Sequence, residues 1–289
     1  MRVAAVILNW NNETDTAECV DSLVADGLPL AQVVLVDNAS ADGSGDRLHA
    51  RYPGARYVQT GANLGYAGGN NAGARVALAM NADWVLVMNN DTVVERGMLA
   101  TLVAAGEARG RAAALAPKIV RHDDPSRLWL DGGTFSRMRA LGRHRGEGTQ
   151  DVLPERREPE RMDFLSGCCL LLRASVIAPM AELFRSDFFL YVEDAELGVR
   201  LERDGWEQWY VPAARLRHKV PPVQSEAAAW QLHLRDRNRR RLVRSHYGLL
   251  QRMIFAGWFY PTRLVLVVRY LLRADLPRAG AILRGSLER

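Results

Sequence analysis

Trp84-Val85-Leu86-Val87-Met88-Asn89-Asn90-Asp91-Thr92 is an apolar run that stops abruptly at polar residues and a carboxylate. A run this short and this rich in β-branched residues fits a strand buried on both faces, as in a parallel sheet covered by helices on either side. Ligands of open α/β sheets bind beyond the carboxyl ends of the strands, so Asn89 and Asp91 are expected to project into a crevice. A carboxylate flanked by amides suits a hard divalent cation that in turn holds phosphate oxygens. The bland alternative is that Asp91 or Thr92 caps a helix from about Glu95 to Arg109.

Working outward, the same pattern recurs. Arg2 to Leu8 reads as a first strand ending at Asn9-Trp10-Asn11-Asn12, with Asn12 or Thr14 capping a helix to about Ala25. Gln32 to Val36 reads as a second strand, finishing in Asp37-Asn38-Ala39-Ser40 before a helix near Gly45 to Tyr52. Ala55 to Gln59 leads to Asn63-Leu64-Gly65-Tyr66-Ala67-Gly68-Gly69-Asn70-Asn71, then a helix to Met80. This alternation predicts parallel pairing through right-handed crossovers. Strand after strand ends in small or amide residues, which points to a nucleotide crevice. The glycine spacing is neither GxGxxG nor GxxxxGK[ST], so a dinucleotide fold and a P-loop are not supported. Residue by residue, bland roles compete: an Asx turn for Asp37 and a helix cap for Asn70 and Asn71.

Lys118 to Gln150 is glycine-rich and reads as β-ribbon and loop, Asp151 to Arg161 as a surface loop, and Phe164 to Leu172 as another buried strand. Phe188 to Val192 delivers the chain to Glu193-Asp194-Ala195-Glu196, which opens a helix. Asp194 shares a helix face with Leu197 and Leu201 and leans inward, whereas Glu196 pairs with Arg200 and needs no role beyond complementing the helix dipole. Neighbouring acids and partial burial raise a carboxylate pKa, as a general base working near neutrality requires. After a strand from Trp206 to Val211 comes His218, by default a surface or satisfied core histidine. A long helix from Ser225 carries Arg235 to Arg241, by default a solvated face. Beyond Gly248, helices mix Trp258, Phe259, Tyr260 and Leu264 with Arg252, Arg263, Arg269 and Arg273. That composition suits either peripheral binding to anionic lipid or a helical cap over the sheet.

The 289 residues are 48% apolar, enough for a sizeable core. Three cysteines, one adjacent pair and no CxxC, indicate neither a disulfide framework nor a zinc site and fit a reducing cytoplasm. The N-terminus mimics a short signal peptide but breaks at Asn9, and no segment reaches the ~20 apolar residues of a membrane span. A net charge of +5 permits phosphate-rich partners, nucleic acid or anionic membrane, without choosing among them.

Together, Val6 to Asn11, Val36 to Ser44, Asn63 to Gly73, Met88 to Thr92, Glu193 to Leu197 and Arg237-Asn238 resemble the family 2 glycosyltransferases of GT-A fold, in particular the bacterial rhamnosyltransferase-like branch. The resemblance spans nearly the whole chain. It implies an α/β, Rossmann-like, mostly parallel central sheet flanked by helices, over residues 1–222, with a C-terminal helical extension over 223–289. It also implies a metal-dependent inverting transfer from a nucleoside-diphosphate sugar, dTDP- or UDP-linked and rhamnose by branch, to the hydroxyl of a glycan, a lipid-linked intermediate or a small molecule. The cysteines and the C-terminal composition go with a cytoplasmic setting and peripheral contact at the inner face of the cell membrane, and no nucleic-acid partner is expected. By the same resemblance, Asn9, Asp37 and Asn38 meet the nucleotide, and Asn63, Gly65, Asn71 and Asn89 line the donor crevice. Asp91 and His218 hold Mg²⁺ or Mn²⁺, and Arg237 approaches the diphosphate. Asp194 is the base, with Glu193 beside it orienting the base or the acceptor, and which of the two acids removes the proton stays open. The competing readings are a sugar nucleotidyltransferase, which should carry a glycine-rich basic signature at its first strand, and a basic membrane-surface or nucleic-acid-binding protein.

Overall fold

The computed structural model describes residues 1–152, 158–220 and 227–288. The start assigned to the long C-terminal helix, Ser225, and the boundary at 222/223 lie outside them.

The chain begins as read: β1 (Val3–Asn9), α1 (Glu13–Ala25), β2 (Val33–Asp37), α2 (Ser44–Arg51), β3 (Arg56–Gln59), α3 (Gly65–Ala79) and β4 (Trp84–Asn89). Asn12 caps α1 by accepting from the Asp15 amide. These four strands are parallel, with β1 between β2 and β4 and β3 outside β2. Alternate side chains serve two helix layers, as the two-residue strand period demands. Ala5, Ile7, Val33, Leu35, Leu86 and Met88 pack with Cys19, Val20 and Leu23 of α1. Ala4, Val6, Val34, Val36, Val85 and Val87 pack with Ala67, Ala74 and Ala77 of α3. A Cβ on Gly73 would come within 2.3 Å of Val6 Cγ1 and 2.8 Å of Val36 Cγ2, which is why α3 is built from glycine and alanine.

The second half is mixed. β5 (Thr92–Val94), α4 (Met98–Glu107), β6 (Ala112–Arg121), β7 (Leu128–Leu130), β8 (Gly133–Ser136), β9 (Leu141–His144), β10 (Glu160–Met162), β11 (Cys169–Arg173) and α5 (Ala174–Ile177) follow, then α6 (Glu193–Arg203) and β12 (Glu207–His218). The sheet runs β10-β12-β6-β11-β4-β1-β2-β3, with β5 on β12 and β7 on β6, while β8 and β9 form a separate hairpin. β6 and β12 are parallel to each other, and β11 lies antiparallel between β6 and β4. The expected strand from Phe164 is thereby shortened, with regular pairing only from Cys169. Lys118, expected at the start of a loop region, sits 1% exposed within β6, its charge met by Asp151 at 2.9 Å.

α7 (Ala229–His246), α8 (Leu249–Leu272) and α9 (Leu276–Leu287) close the chain. Leu242, Val243, Tyr247, Phe255 and Phe259 pack on Phe188, Ala195 and Val199 around α6. The arginine run of α7 is therefore not simply a solvated face. Asp236 and Arg239 are buried, and Asp236 takes ion pairs from both Arg239 and Arg263. Glu196 pairs with Arg200 as read, and it is fully buried between Arg200 and His246, each within 2.9 Å.

Candidate active site

Sheet register brings distant residues to one edge. Asn9 of β1 pairs with Asp37 of β2, and Leu8 pairs with Asn89 of β4. β5 returns antiparallel to β12 so that Thr92 faces His218, and the Lys219 amide donates to the Asp91 carbonyl at 2.9 Å. The capping role for Asp91 or Thr92 is excluded by this short strand; the start of α4 is held instead by Asp26, which accepts from the amides of Gly97 and Leu99. His218 Nε2 then lies 3.1 Å from Asp91 Oδ1.

Two cavities open along this edge. The first, 670 Å³, is lined by Trp10, Asn38, Asn63, Gly65, Tyr66, Asn89, Asp91, Phe189, Leu190 and Trp230, among others. Asn38 and Asn63 are fixed there, the Asn38 amide donating to Asn63 Oδ1 at 3.0 Å and to the Gly65 carbonyl at 3.2 Å. Gly65 has φ +69°, and a Cβ on it would meet the Phe189 carbonyl oxygen at 2.4 Å, so both conformation and space require glycine. The Asn89 side-chain amide has no hydrogen-bond partner among the described residues and faces the cavity.

Other expected residues support this cavity from behind. Asn9 is fully buried, donating to Asp37, Ser40 and Ser44 and accepting from Thr16. Asp37 is saturated by Ser40, Gln59 and Asn9. Asn71 clasps the Phe184 backbone, donating to its oxygen at 2.6 Å and accepting from its amide at 2.9 Å. In each case the protein itself consumes the hydrogen-bonding capacity that a ligand was expected to take.

The second cavity, 690 Å³, is lined by Trp129, Arg143, His144, Phe164, Tyr191, Glu193, Asp194 and Arg235, among others. Asp194 is only half-buried as a residue, and its carboxylate is held by backbone amides: Gly167 donates to Oδ2 at 3.0 Å and Ala195 to Oδ1 at 2.7 Å. Burial raises its pKa from the ordinary aspartate value while these amides oppose the rise. Glu193 is more deeply buried and its Oε2 meets no donor. Burial first and the Asp194 charge second drive its pKa well above the usual range. Burial thus raises the pKa of both carboxyl groups, and the two amides on Asp194 favour its ionised form. His144 is driven the other way, to about 4, by burial and by His218 and Arg235, and is neutral there.

Asp91 and Asp194 thus line two different cavities, which touch through contacts between their lining residues. Tyr66 lines the first and donates to the Gly167 carbonyl at 2.6 Å, beside the amide that holds Asp194. Trp230 of the first stacks on Tyr191 of the second, with centroids 6.0 Å apart. Trp129 of the second packs edge-on to the His218 ring at 4.5 Å.

Arg237 does not line either cavity. Its guanidinium donates to the Phe188 carbonyl at 3.2 Å, and the Asn238 amide donates to the carbonyls of Phe188, Leu190 and Tyr191 at 2.8, 2.9 and 2.8 Å. Phe189, Tyr191 and Val192 all have positive φ, 62°, 73° and 72°. Arg237-Asn238 is a clamp on this strained loop, which carries side chains into both cavities and leads directly into α6. The sequence reading missed the aromatic walls Trp10, Trp129, Phe189, Tyr191 and Trp230. An exposed tryptophan inside the polar Asn9 to Asn12 run was the one available signal.

For a divalent ion, the Asp91 and His218 pair fits. Cis ligands at ~2.1 Å from an octahedral ion lie roughly 3.0 Å apart, close to the observed 3.1 Å. His218 is buried with its Nδ1 unpartnered, while the Asp91 side chain keeps 31% exposure toward the cavity. Among the described residues no third histidine, cysteine or carboxylate joins them.

Fold and site define a glycosyltransferase of GT-A architecture. Two solved structures share it: GalNAc-T7 with UDP, GalNAc and Mn²⁺ (TM-score 0.63, 16% identity, 84% of this chain and 48% of that one), and the Pyrobaculum calidifontis mannosyltransferase PcManGT with GDP-Man and Mn²⁺ (TM-score 0.58, 15% identity, 99% and 86%). The glycosyl transferase family 2 model matches residues 4–178, and the chain belongs to that family. It is 33% identical over 285 residues, 89% of this chain and 85% of the relative, to the N-acetylglucosaminyl-diphospho-decaprenol L-rhamnosyltransferase of Mycobacterium tuberculosis.

Proposed function

We propose that the protein is a metal-dependent inverting glycosyltransferase that moves a sugar, rhamnose by its likeness to the mycobacterial rhamnosyltransferase, from a dTDP- or UDP-linked donor to a hydroxyl of a lipid-linked glycan in the cytoplasm. The observation that carries this reading is the pairing of Asp91 with His218 on a cavity whose lining touches that of the cavity holding Asp194. In the first cavity Asn63, which Asn38 holds in place, and Asn89 offer amides to the nucleotide and sugar, and the exposed Trp10 indole offers a face to the base. Asp91 and His218 would hold Mg²⁺ or Mn²⁺, which supplies neutralisation of the charge that builds on the departing diphosphate.

Asp194 removes the acceptor hydroxyl proton as that oxygen attacks the anomeric carbon from the side opposite the nucleotide, so the configuration inverts. The Gly167 and Ala195 amides favour its ionised form and aim it, with the Glu193 carboxyl beside it. Arg143 and Arg235 line the same cavity, and neither has a carboxylate partner among the described residues. Two such guanidiniums suit an acceptor that carries a diphosphate, as the name of the mycobacterial relative describes for that enzyme. The free thiols of Cys19, Cys168 and Cys169 support a cytoplasmic setting.

The test is donor hydrolysis by the purified protein across a panel of dTDP- and UDP-sugars, with Mn²⁺, with Mg²⁺ and with a chelator. The reading expects metal-dependent release of the nucleoside diphosphate from one donor class. Release that survives chelation, or none from any donor, contradicts it.

A further inference from the structure

α8 has two apolar faces, and only one is covered. Phe255, Phe259 and Val267 are buried, and Arg263 on the same side reaches Asp236 of α7 at 2.6 Å. This is the cap over the core, and it absorbs Phe259 and Arg263 from the residues that suggested lipid contact in the sequence.

The opposite face is bare. Leu249, Leu250, Met253, Ile254, Leu264, Val265, Val268, Leu271 and Leu272 are exposed, with Leu249 and Leu272 at 76% and 84%. Their spacing of three and four, completed by Gly257 and Tyr260, is one continuous stripe along 24 residues. On α9, Leu276, Leu283 and Leu287 are likewise exposed and follow the same period. Most of the large exposed apolar side chains of the described residues thus gather on two packed helices. Single exposed leucines need no explanation, whereas a contiguous apolar surface on this scale does.

The charges beside the stripe choose its occupant. No acidic residue occurs from 247 to 274, whereas Arg252, Arg269 and Arg273 are all exposed there. Two copies meeting face to face along this stripe would set arginine against arginine with no acid on α8 to offset them. An anionic bilayer complements both the apolar stripe and its cations. No described helix is long and apolar enough to cross a membrane, so α8 would lie in the plane of the interface. There it would span about 36 Å at 1.5 Å per residue.

We propose that the exposed faces of α8 and α9 seat the enzyme on an anionic lipid surface, with Leu250, Ile254, Val265 and Val268 entering the acyl boundary and Arg252 and Arg269 at the headgroups. The inference stands apart from the choice of donor and acceptor.

The experiment is co-sedimentation of the full chain with phosphatidylcholine vesicles, with and without about a third phosphatidylglycerol. Wild type is expected to bind the anionic vesicles at least about tenfold more tightly, with binding weakened by salt. Arg252→Glu with Arg269→Glu should remove most of that preference. Leu250→Glu, Ile254→Glu, Val265→Glu and Val268→Glu together should abolish binding, with folding checked by circular dichroism. Should the fourfold variant misfold, the arginine pair still decides the matter. Equal binding to both vesicle types, no binding, or a lipid-free dimer that the fourfold variant disperses would overturn the proposal. Donor hydrolysis without vesicles should be the same in wild type and the arginine variant, so a failure here is distinguishable from a failure of the functional reading.

Discussion

His218 Nε2 stands 3.1 Å from Asp91 Oδ1 across 127 residues of sequence, because β5 turns back from Asp91 and pairs Thr92 with His218 on β12. If these two groups hold the ion, Asp91→Ala and His218→Ala should each remove most of the metal-dependent gain in nucleoside-diphosphate affinity. The expected loss is a few kcal/mol, on the order of a hundredfold or more. Calorimetric titration with and without Mn²⁺ measures it. Variants that bind the nucleotide as wild type does, and still respond to Mn²⁺, would remove both residues from that role.

Glu193 gives a stability prediction whose sign is fixed. Its folded pKa is raised by burial and by Asp194, so the folded state keeps a proton that the unfolded chain releases. Wild type should therefore lose stability as pH rises from the ordinary glutamate value through the folded one, and Glu193→Gln should lose only the part that comes from Asp194. The variant should match wild type in acid and exceed it at high pH by about 1–3 kcal/mol, the usual cost of burying an unpartnered polar group. Denaturant unfolding across pH reads this. A difference that does not change with pH would mean that Glu193 is not protonated in the folded protein.

The Asn238 clamp makes a separate claim. Phe189, Tyr191 and Val192 occupy a backbone region that costs about 1–3 kcal/mol per residue unless the surroundings enforce it. Asn238→Ala removes the donor to the carbonyls of Phe188, Leu190 and Tyr191. The loop should relax, opening to limited proteolysis, and kcat should fall about tenfold or more through misplacement of Asp194. Asn238→Asp, which keeps the size and loses the donor, should behave alike. Full kcat with only a lower Tm would reduce Asn238 to a stability residue.

Much of this is legible in the sequence. Strands buried on both faces leave continuous apolar runs, so β1, β2 and β4 and the polar residues at their ends stand out. Asp194 could be aimed inward by helix periodicity alone. What the sequence hid depends on partners far along the chain. Asn71 reads as a crevice residue until Phe184, 113 positions away, takes both ends of its amide. Arg237 reads as a phosphate ligand until the strained loop at 188–192 occupies it. Lys118 sits inside β6 because Asp151 neutralises it there, a pairing no local pattern announces. The division into two cavities likewise comes from aromatic walls at Trp129, Tyr191 and Trp230, supplied by three separate segments.

The central claim is that donor binding and proton removal reside in neighbouring cavities and can be separated. Asp194→Asn tests it most directly, with donor affinity and transfer rate measured on the same preparation. Metal-dependent affinity for the nucleotide sugar should stay within about twofold of wild type, while transfer falls by 10²–10⁴-fold, the range of a lost general base. An Asp194→Asn enzyme that still transfers at most of the wild-type rate, or that loses its donor affinity as well, would contradict the claim.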